Sequence, residues 1–230
     1  MYIQITTQCN MSCDHCCFSC SKHTPGEHMS KRTFNQALAF ASEYGEFIGI
    51  GGGEPTIHPQ FWEFFGLALG SEAEGIWMAT NGKKTKIAIA LANFAGAGDG
   101  RFSVALSQDP WHDPINARVV AAFTRNNLEF RDVSNSVSNV GAARENGVGI
   151  HDNQCVCSDL FINPQGDVFM CGCPGPASVW LGHVSAIEDD VIQRAHEVGE
   201  DYDECGRQVP LEDHKYIIDG GERPSLEMTA

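Results

Sequence analysis

Long apolar runs and positive charge are both scarce in this chain. No stretch reaches the roughly 18 apolar residues of a membrane-spanning helix, so no membrane partner is expected. No basic segment leads into an apolar run at the amino terminus, so no secretory signal is read and a cytoplasmic location is expected. Lys and Arg total 15 against 30 Asp and Glu, a formal charge of −15. That surface repels duplex nucleic acid, and no block of Lys or Arg offsets it. The acids gather late, 13 of them after Ser185, and read as a solubilising face. There is no internal repeat or low-complexity tract. The composition, 42% hydrophobic and 20% charged, is that of a globular protein. Its 230 residues suffice for one large domain or two small ones.

Cysteine is plentiful instead, with ten in the chain. Without an export signal they point to metal binding in a reducing compartment, not to a disulfide framework. Cys9, Cys13, Cys16, Cys17 and Cys20 crowd one loop, directly after an alternating strand at Tyr2 to Thr7. Soft thiolates select iron–sulfur clusters, zinc or copper(I). Cys9, Cys13 and Cys16 can reach one point and leave a fourth position open. A zinc knuckle built on Cys13/Cys16 or Cys17/Cys20 half-sites fits the residues too, as does a Cys13–Cys16 dithiol redox pair.

Strand and helix signals alternate along the chain. After the first strand comes a helix over Lys31 to Tyr44, with Ser30 as N-cap and Phe34, Leu38, Ala41 and Tyr44 inward. A strand at Phe47 to Ile50 follows, then a helix with Pro59 in its first position and Phe61, Phe64, Phe65 and Ala68 inward. Next come a strand at Gly75 to Ala79 and a helix over Lys83 to Phe94, with Ile87, Ala90, Leu91 and Phe94 inward. A strand at Phe102 to Leu106, a helix over Pro114 to Asn126 with Ile115, Val119, Ala122 and Phe123 inward, and a strand at Leu128 to Val133 complete the run. The fold class is α/β, a parallel sheet of about five to six βα units, open or curved as a partial barrel. Ligands then sit at the carboxyl ends of the strands. The cysteine loop, the Gly51-Gly52-Gly53-Glu54 turn, Thr80-Asn81 and Ser107 to Asp113 all fall there. Beyond residue 150 a second unit is expected. It has a hairpin, Asp159 to Ile162 and Asp167 to Met170, flanked by Cys155, Cys157, Cys171 and Cys173. A helix over Ala186 to Val198 and an irregular acidic tail follow.

A Gly run lets backbone approach a ligand closely. Gly52-Gly53-Glu54 at the end of the second strand, together with the cysteine spacing at the end of the first, resembles the radical S-adenosylmethionine (SAM) superfamily over roughly residues 1 to 145. The resemblance implies that Cys9, Cys13 and Cys16 hold a 4Fe-4S cluster whose open iron takes the amino and carboxylate groups of SAM. It implies that Gly52, Gly53 and Glu54 line the methionine amino group. Thr80 and Asn81 match the family's third-strand ending. Ser107, with Gln108 and Asp109, matches a polar contact to the ribose or carboxylate. Val140-Gly141-Ala142-Ala143-Arg144 resembles a late Gly-Arg-Ala segment, which makes Arg144 a SAM contact. His15 stands where the family places an aromatic residue near the adenine.

The implied chemistry is one-electron cleavage of SAM to methionine and a 5′-deoxyadenosyl radical, which takes a hydrogen atom from the substrate. A one-electron donor of flavodoxin or ferredoxin type is the implied partner. No acid/base pair is required, and no catalytic side chain is assigned. Asp109-Pro110-Trp111-His112-Asp113 reads as a rigid loop contacting SAM or substrate, as an ordinary loop, or as a separate metal site. Cys155, Cys157, Cys171 and Cys173 suit a second four-thiolate site, iron–sulfur or zinc, and resemble a shortened SPASM or twitch segment. Cys17 and Cys20 are not expected to be ligands. A peptide or amino-acid-type substrate is expected, with a nucleoside, nucleotide or other small metabolite as the alternative. A zinc-stabilised binding protein without catalysis is the reading from a different class.

Overall fold

A computed structural model of the chain describes residues 1–150, 160–172, 178–201 and 211–221. Strands β1 (Tyr2–Thr6), β2 (Phe47–Gly52), β3 (Gly75–Thr80), β4 (Phe102–Ser107) and β5 (Phe130–Arg131) alternate with helices α1 (Lys31–Tyr44), α2 (Phe61–Leu69), α3 (Thr85–Ala97) and α4 (Ala117–Arg125). A short helix α5 (Ala142–Glu145) follows. Then come β6 (Phe161–Ile162), β7 (Asp167–Phe169), β8 (Trp180–His183), α6 (Asp189–Asp201) and α7 (Leu211–Asp219). The strands form one eight-stranded sheet in the order β5-β4-β3-β2-β1-β6-β7-β8. Pairing is parallel from β5 through β6 and antiparallel for β6–β7 and β7–β8. The sheet is mostly parallel and does not close, which is a partial barrel.

Strand parity explains which face does what. Successive side chains of a strand point to opposite faces. Ile3, Ile5, Ile48, Ile50, Ile76, Met78, Val104 and Leu106 share one parity, and all are buried. They form one core with Phe34, Phe64, Leu91, Val119 and Phe123 of the covering helices. The Phe34 and Phe64 rings stack with centroids 4.1 Å apart. The other parity carries Tyr2, Gln4, Gly49, Gly51, Trp77, Ala79 and Ser107. That face is small, polar or aromatic, and it is left to the site.

Several boundaries move from the sequence expectation. α1 occupies the expected span, and the Ser30 hydroxyl caps it by accepting from Thr33 N–H at 3.1 Å. Pro59 does not open α2. A 3₁₀ turn, Pro55–Ile57, comes first, and α2 begins at Phe61 after Gln60. Helix α3 begins at Thr85 rather than Lys83, and it buries Ala88, Leu91 and Ala92 while Phe94 stays exposed. Helix α4 starts at Ala117, capped by Asn116, not at Pro114. Strand β5 keeps only the middle of Leu128 to Val133. Helix α6 begins at Asp189 instead of Ala186. The tail expected to be irregular contains α7, whose Ile217 is fully buried.

The expected hairpin is present as β6–β7, and the Asn163 side-chain carbonyl accepts from Gln165 N–H (3.0 Å) and Asp167 N–H (2.9 Å) to shape its turn. It is also part of the main sheet, because Tyr2 and Ile3 of β1 pair with Phe161 and Ile162.

Candidate functional site

The cysteine loop leaves β1 at Thr6 and is tied back at several points. Met29 N–H donates to the Ile5 carbonyl (2.9 Å), Thr7 N–H to the Glu27 carbonyl (3.0 Å) and Lys22 N–H to the Met11 carbonyl (2.9 Å). The Gly turn after β2 is bonded to the same loop. Gly53 N–H donates to the Thr6 carbonyl at 2.8 Å and Glu54 N–H to the Gln8 carbonyl at 2.9 Å. Glycine is needed there for space: a Cβ on Gly53 would lie 2.3 Å from the Gln8 oxygen. Gly52 has φ +149°, and a Cβ on it would lie 2.1 Å from the Thr6 oxygen. Two strand ends are thereby packed backbone to backbone.

Glu54 is 1% exposed and locks the third strand to the second. One carboxylate oxygen accepts from Thr56 N–H (3.1 Å), Thr56 Oγ1 (2.5 Å) and Thr80 Oγ1 (2.8 Å). The other accepts from Asn81 N–H at 2.7 Å. Burial raises the Glu54 carboxyl above its ordinary range, and these donors pull the other way without cancelling it. Asn81 then turns its amide to Asn10 Oδ1 at 2.8 Å and stands 3.9 Å from Cys9 Sγ. The chain of contacts runs from β2 through β3 to the cysteine loop.

Cys9, Cys13 and Cys16 all line one cavity of about 490 Å³, with Gly52, Gly53, Glu54, Thr80, Asn81, Ser107 and His15. Cys9 Sγ accepts from Met11 N–H at 3.4 Å, and Cys16 Sγ from Cys20 N–H at 3.3 Å. Burial pushes the Cys9 thiol up to about 11 and the Cys13 thiol up to about 12. Cys16 is held down at about 6, first by the Cys20 side chain and also by nearby backbone N–H groups, against its burial. Metal coordination requires the thiolate form, so a cation bound here would offset the burial cost at Cys9 and Cys13.

On the opposite rim, Asp109 braces the loop after β4. Its Oδ1 accepts from Trp111 N–H (3.1 Å) and lies 2.7 Å from His112 Nδ1. Burial would raise this carboxyl, but the His112 hydrogen bond and charge outweigh it and leave it low. His15 Nε2 is 3.4 Å from Asp109 Oδ2, and its ring packs 4.9 Å from Trp111. Burial lowers the His15 pKa. Among the described residues His15, Asp109 and His112 form a trio whose ligand atoms lie within 4.8 Å of one another. Asp109 itself stands behind the cavity wall, which His15 and His112 provide.

The structure does not bring Arg144 to the cavity. It is exposed on α5, and its Nε donates to the Asn139 carbonyl at 3.1 Å. The Gly141 segment packs behind the cysteine loop instead. Ala142 N–H donates to the Cys16 carbonyl at 3.0 Å, and a Cβ on Gly141 would lie 2.3 Å from the Cys17 oxygen. Among the described residues the Lys or Arg that does line the cavity is Arg131, with Tyr2, Phe18, Trp77 and Phe161. None of these five was singled out from sequence. The parity of Tyr2 against Ile3 and Ile5 was the available signal for the first. Cys155, Cys157 and Cys173 lie outside the described residues. Cys171 is buried beside Val140 and Cys17.

The family model for the radical SAM superfamily matches residues 3–151. The chain belongs to the radical SAM superfamily. It is therefore an enzyme, and membership implies a 4Fe-4S cluster and SAM. Mycofactocin maturase MftC from Mycobacterium ulcerans (strain Agy99) is 34% identical over 79 residues, which is 34% of this chain and 21% of MftC. MftC from Mycobacterium tuberculosis (strain CDC 1551 / Oshkosh) is likewise 34% identical over 79 residues, 34% of this chain and 20% of that protein. The match thus spans about a fifth of these curated relatives. Among solved structures, BtrN in complex with AdoMet and 2-DOIA superposes with a TM-score of 0.60 at 18% identity, covering 95% of this chain and 86% of that one. Native anSMEcpe with bound AdoMet gives 0.53 at 15% identity, covering 81% and 78%. At these identities the likeness is one of fold.

The donor set of this radical SAM chain fits the implied cluster. Three soft sulfur donors face one cavity, and the glycine turn keeps side chains out of the space beside them. Among the described residues no helix is long and apolar enough to cross a membrane.

Proposed function

We propose that Cys9, Cys13 and Cys16 hold the 4Fe-4S cluster and leave one iron for the amino and carboxylate groups of SAM, and that the enzyme takes a hydrogen atom from a peptide or amino-acid-type substrate. The observation that carries this reading is the shared cavity, where three thiols and the Gly52–Glu54 turn face the same space. A 4Fe-4S cluster held by Cys9, Cys13 and Cys16 would supply the one-electron chemistry that cleaves SAM. The protein supplies placement and exclusion of water. Gly52 and Gly53 offer bare backbone to the methionine amino group. Glu54 fixes that backbone through its bonds to Thr80 and Asn81. His15 and Ser107 border the adenosine side. Asp109 holds His112 and the Trp111 backbone, and so positions the loop against which His15 packs.

The peptide or amino-acid class rests on the cysteine-rich hairpin segment and on the partial likeness to a maturase. Residues 1–150 are the radical SAM core in this reading, and residues 151–230 extend its sheet and carry the further cysteines. Cys155, Cys157, Cys171 and Cys173 are a second site in it, iron–sulfur or zinc, of shortened SPASM or twitch type. A flavodoxin- or ferredoxin-type donor supplies electrons in the cytoplasm.

The test is anaerobic purification followed by iron and sulfide analysis. About four irons per chain are expected with the first site alone and about eight with both. SAM plus dithionite should release 5′-deoxyadenosine, and Cys13→Ala should abolish that release together with about four irons. A colourless protein loaded with zinc would overturn the reading.

A further inference from the structure

The cavity extends well past the cysteine loop, across the inner face of the sheet. One register row crosses it: Phe161 pairs with Tyr2, Tyr2 with Gly49, and Gly49 with Trp77. The glycines make room for a ring to lie flat. A Cβ on Gly49 would lie 2.9 Å from Tyr2 Cδ2, and one on Gly51 would lie 1.7 Å from the Tyr2 hydroxyl oxygen. The Tyr2 ring therefore covers the glycine strip, and Gly52 N–H anchors it by donating to the hydroxyl at 3.0 Å. Phe161 and Phe18 stack beside it with centroids 5.8 and 6.1 Å away and interplanar angles of 10° and 26°. Trp77 borders the same floor and is only half-buried. Tyr2, Phe18 and Phe161 give the cavity a stacked aromatic floor, which Trp77 borders.

Among the described residues few charged groups line this cavity. Among the described residues that line the cavity, Arg131, at the end of β5, is the one Lys or Arg. It is exposed, and among the described residues its guanidinium has no hydrogen-bond or ion-pair partner. It lines the same cavity as Tyr2 on the aromatic floor and His15 at the cysteine end. The nearby carboxylates are committed elsewhere: Glu54 to Thr56, Thr80 and Asn81, and Asp109 to His112 and Trp111. A guanidinium without a partner among the described residues, in a chain of net charge −15, suits an anionic ligand.

We propose that this floor binds a substrate that presents a flat apolar group next to one anionic group, with Arg131 pairing the anion. The inference deepens the radical SAM reading and rests on it. SAM also carries a carboxylate, so the test must separate the two anions.

The probes are 3-phenylpropionate and its neutral amide, 3-phenylpropanamide. They are titrated anaerobically by calorimetry into the cluster-reconstituted enzyme with SAM present. The acid should bind at least tenfold more tightly than the amide. Arg131→Gln should erase that difference, Arg131→Lys should restore part of it, and Trp77→Ala should weaken both probes alike. Arg131 is exposed, so its variants should fold. Equal binding of acid and amide, binding of neither, or a preference that survives in Arg131→Gln would overturn the proposal. So would a direct SAM titration in which Arg131→Gln loses more affinity for SAM than for phenylpropionate, because the anion would then belong to the cofactor. Failure of the two readings is distinguishable. A wild type that holds its cluster and releases 5′-deoxyadenosine but binds both probes alike sinks this inference alone. A wild type without a cluster that still prefers the acid sinks the cluster assignment alone.

Discussion

Replacing Glu54 tests whether the site is held by one buried carboxylate. Glutamine keeps the shape but has a single acceptor oxygen. That oxygen can serve Thr56 and Thr80, and the new NH₂ then faces Asn81 N–H across the 2.7 Å that separates acceptor from donor today. One hydrogen bond is lost and a buried donor is left unpaired, a cost of about 1–3 kcal/mol. Alanine would leave the Thr56 and Asn81 N–H groups without acceptors, for upwards of about 4 kcal/mol. Against a domain stability of about 5–15 kcal/mol, either is a large fraction. Anaerobic urea unfolding followed by tryptophan fluorescence measures it. The pH dependence has a definite sign. Glu54 has a raised pKa in the folded state, so its contribution is fully present below its ordinary value of 4.5 and is lost as pH rises through the folded value. The margin of wild type over Glu54→Gln should therefore shrink as pH rises above 4.5. A Gln variant within about 0.5 kcal/mol of wild type would refute the argument, since surface-like tolerance is incompatible with these four bonds.

Gly53→Ala should lower cluster retention on reconstitution and cost about 1–3 kcal/mol, because its Cβ would press on the Gln8 carbonyl. Full iron content in that variant would show that the loop can yield. Phe34→Ala should cost about 3–5 kcal/mol in urea unfolding without changing the SAM chemistry of the folded fraction. Asp109→Ala should cost about 1–3 kcal/mol by stranding the His112 and Trp111 donors. A negligible change there would mean that Pro110 and Pro114 hold the loop unaided.

What could be read from sequence was whatever depends on neighbours in the chain. The alternation of apolar residues marked β1 to β4 and their helices, and the cysteine and glycine loops stood out at the strand ends. Other features depend on distant pairing. The β6–β7 hairpin was legible as a hairpin, but nothing local shows that Phe161 lies beside Tyr2. Helix α7 buries Ile217 against α6 and was invisible because its residues lack a clear apolar period. The basic contact was placed on Arg144 by analogy with a motif. The fold turns that segment behind the cysteines and lets Arg131 reach the cavity instead.

Strand parity has a consequence for how this chain can change. Deleting or inserting one residue within Tyr2–Thr6 would swap the two faces: the isoleucines would enter the cavity and Tyr2 and Gln4 would be driven under the helices. Length changes in these strands must come in pairs to be survivable. Variation among descendants of this sequence should accordingly concentrate in the loops, where a single added codon disturbs no such count.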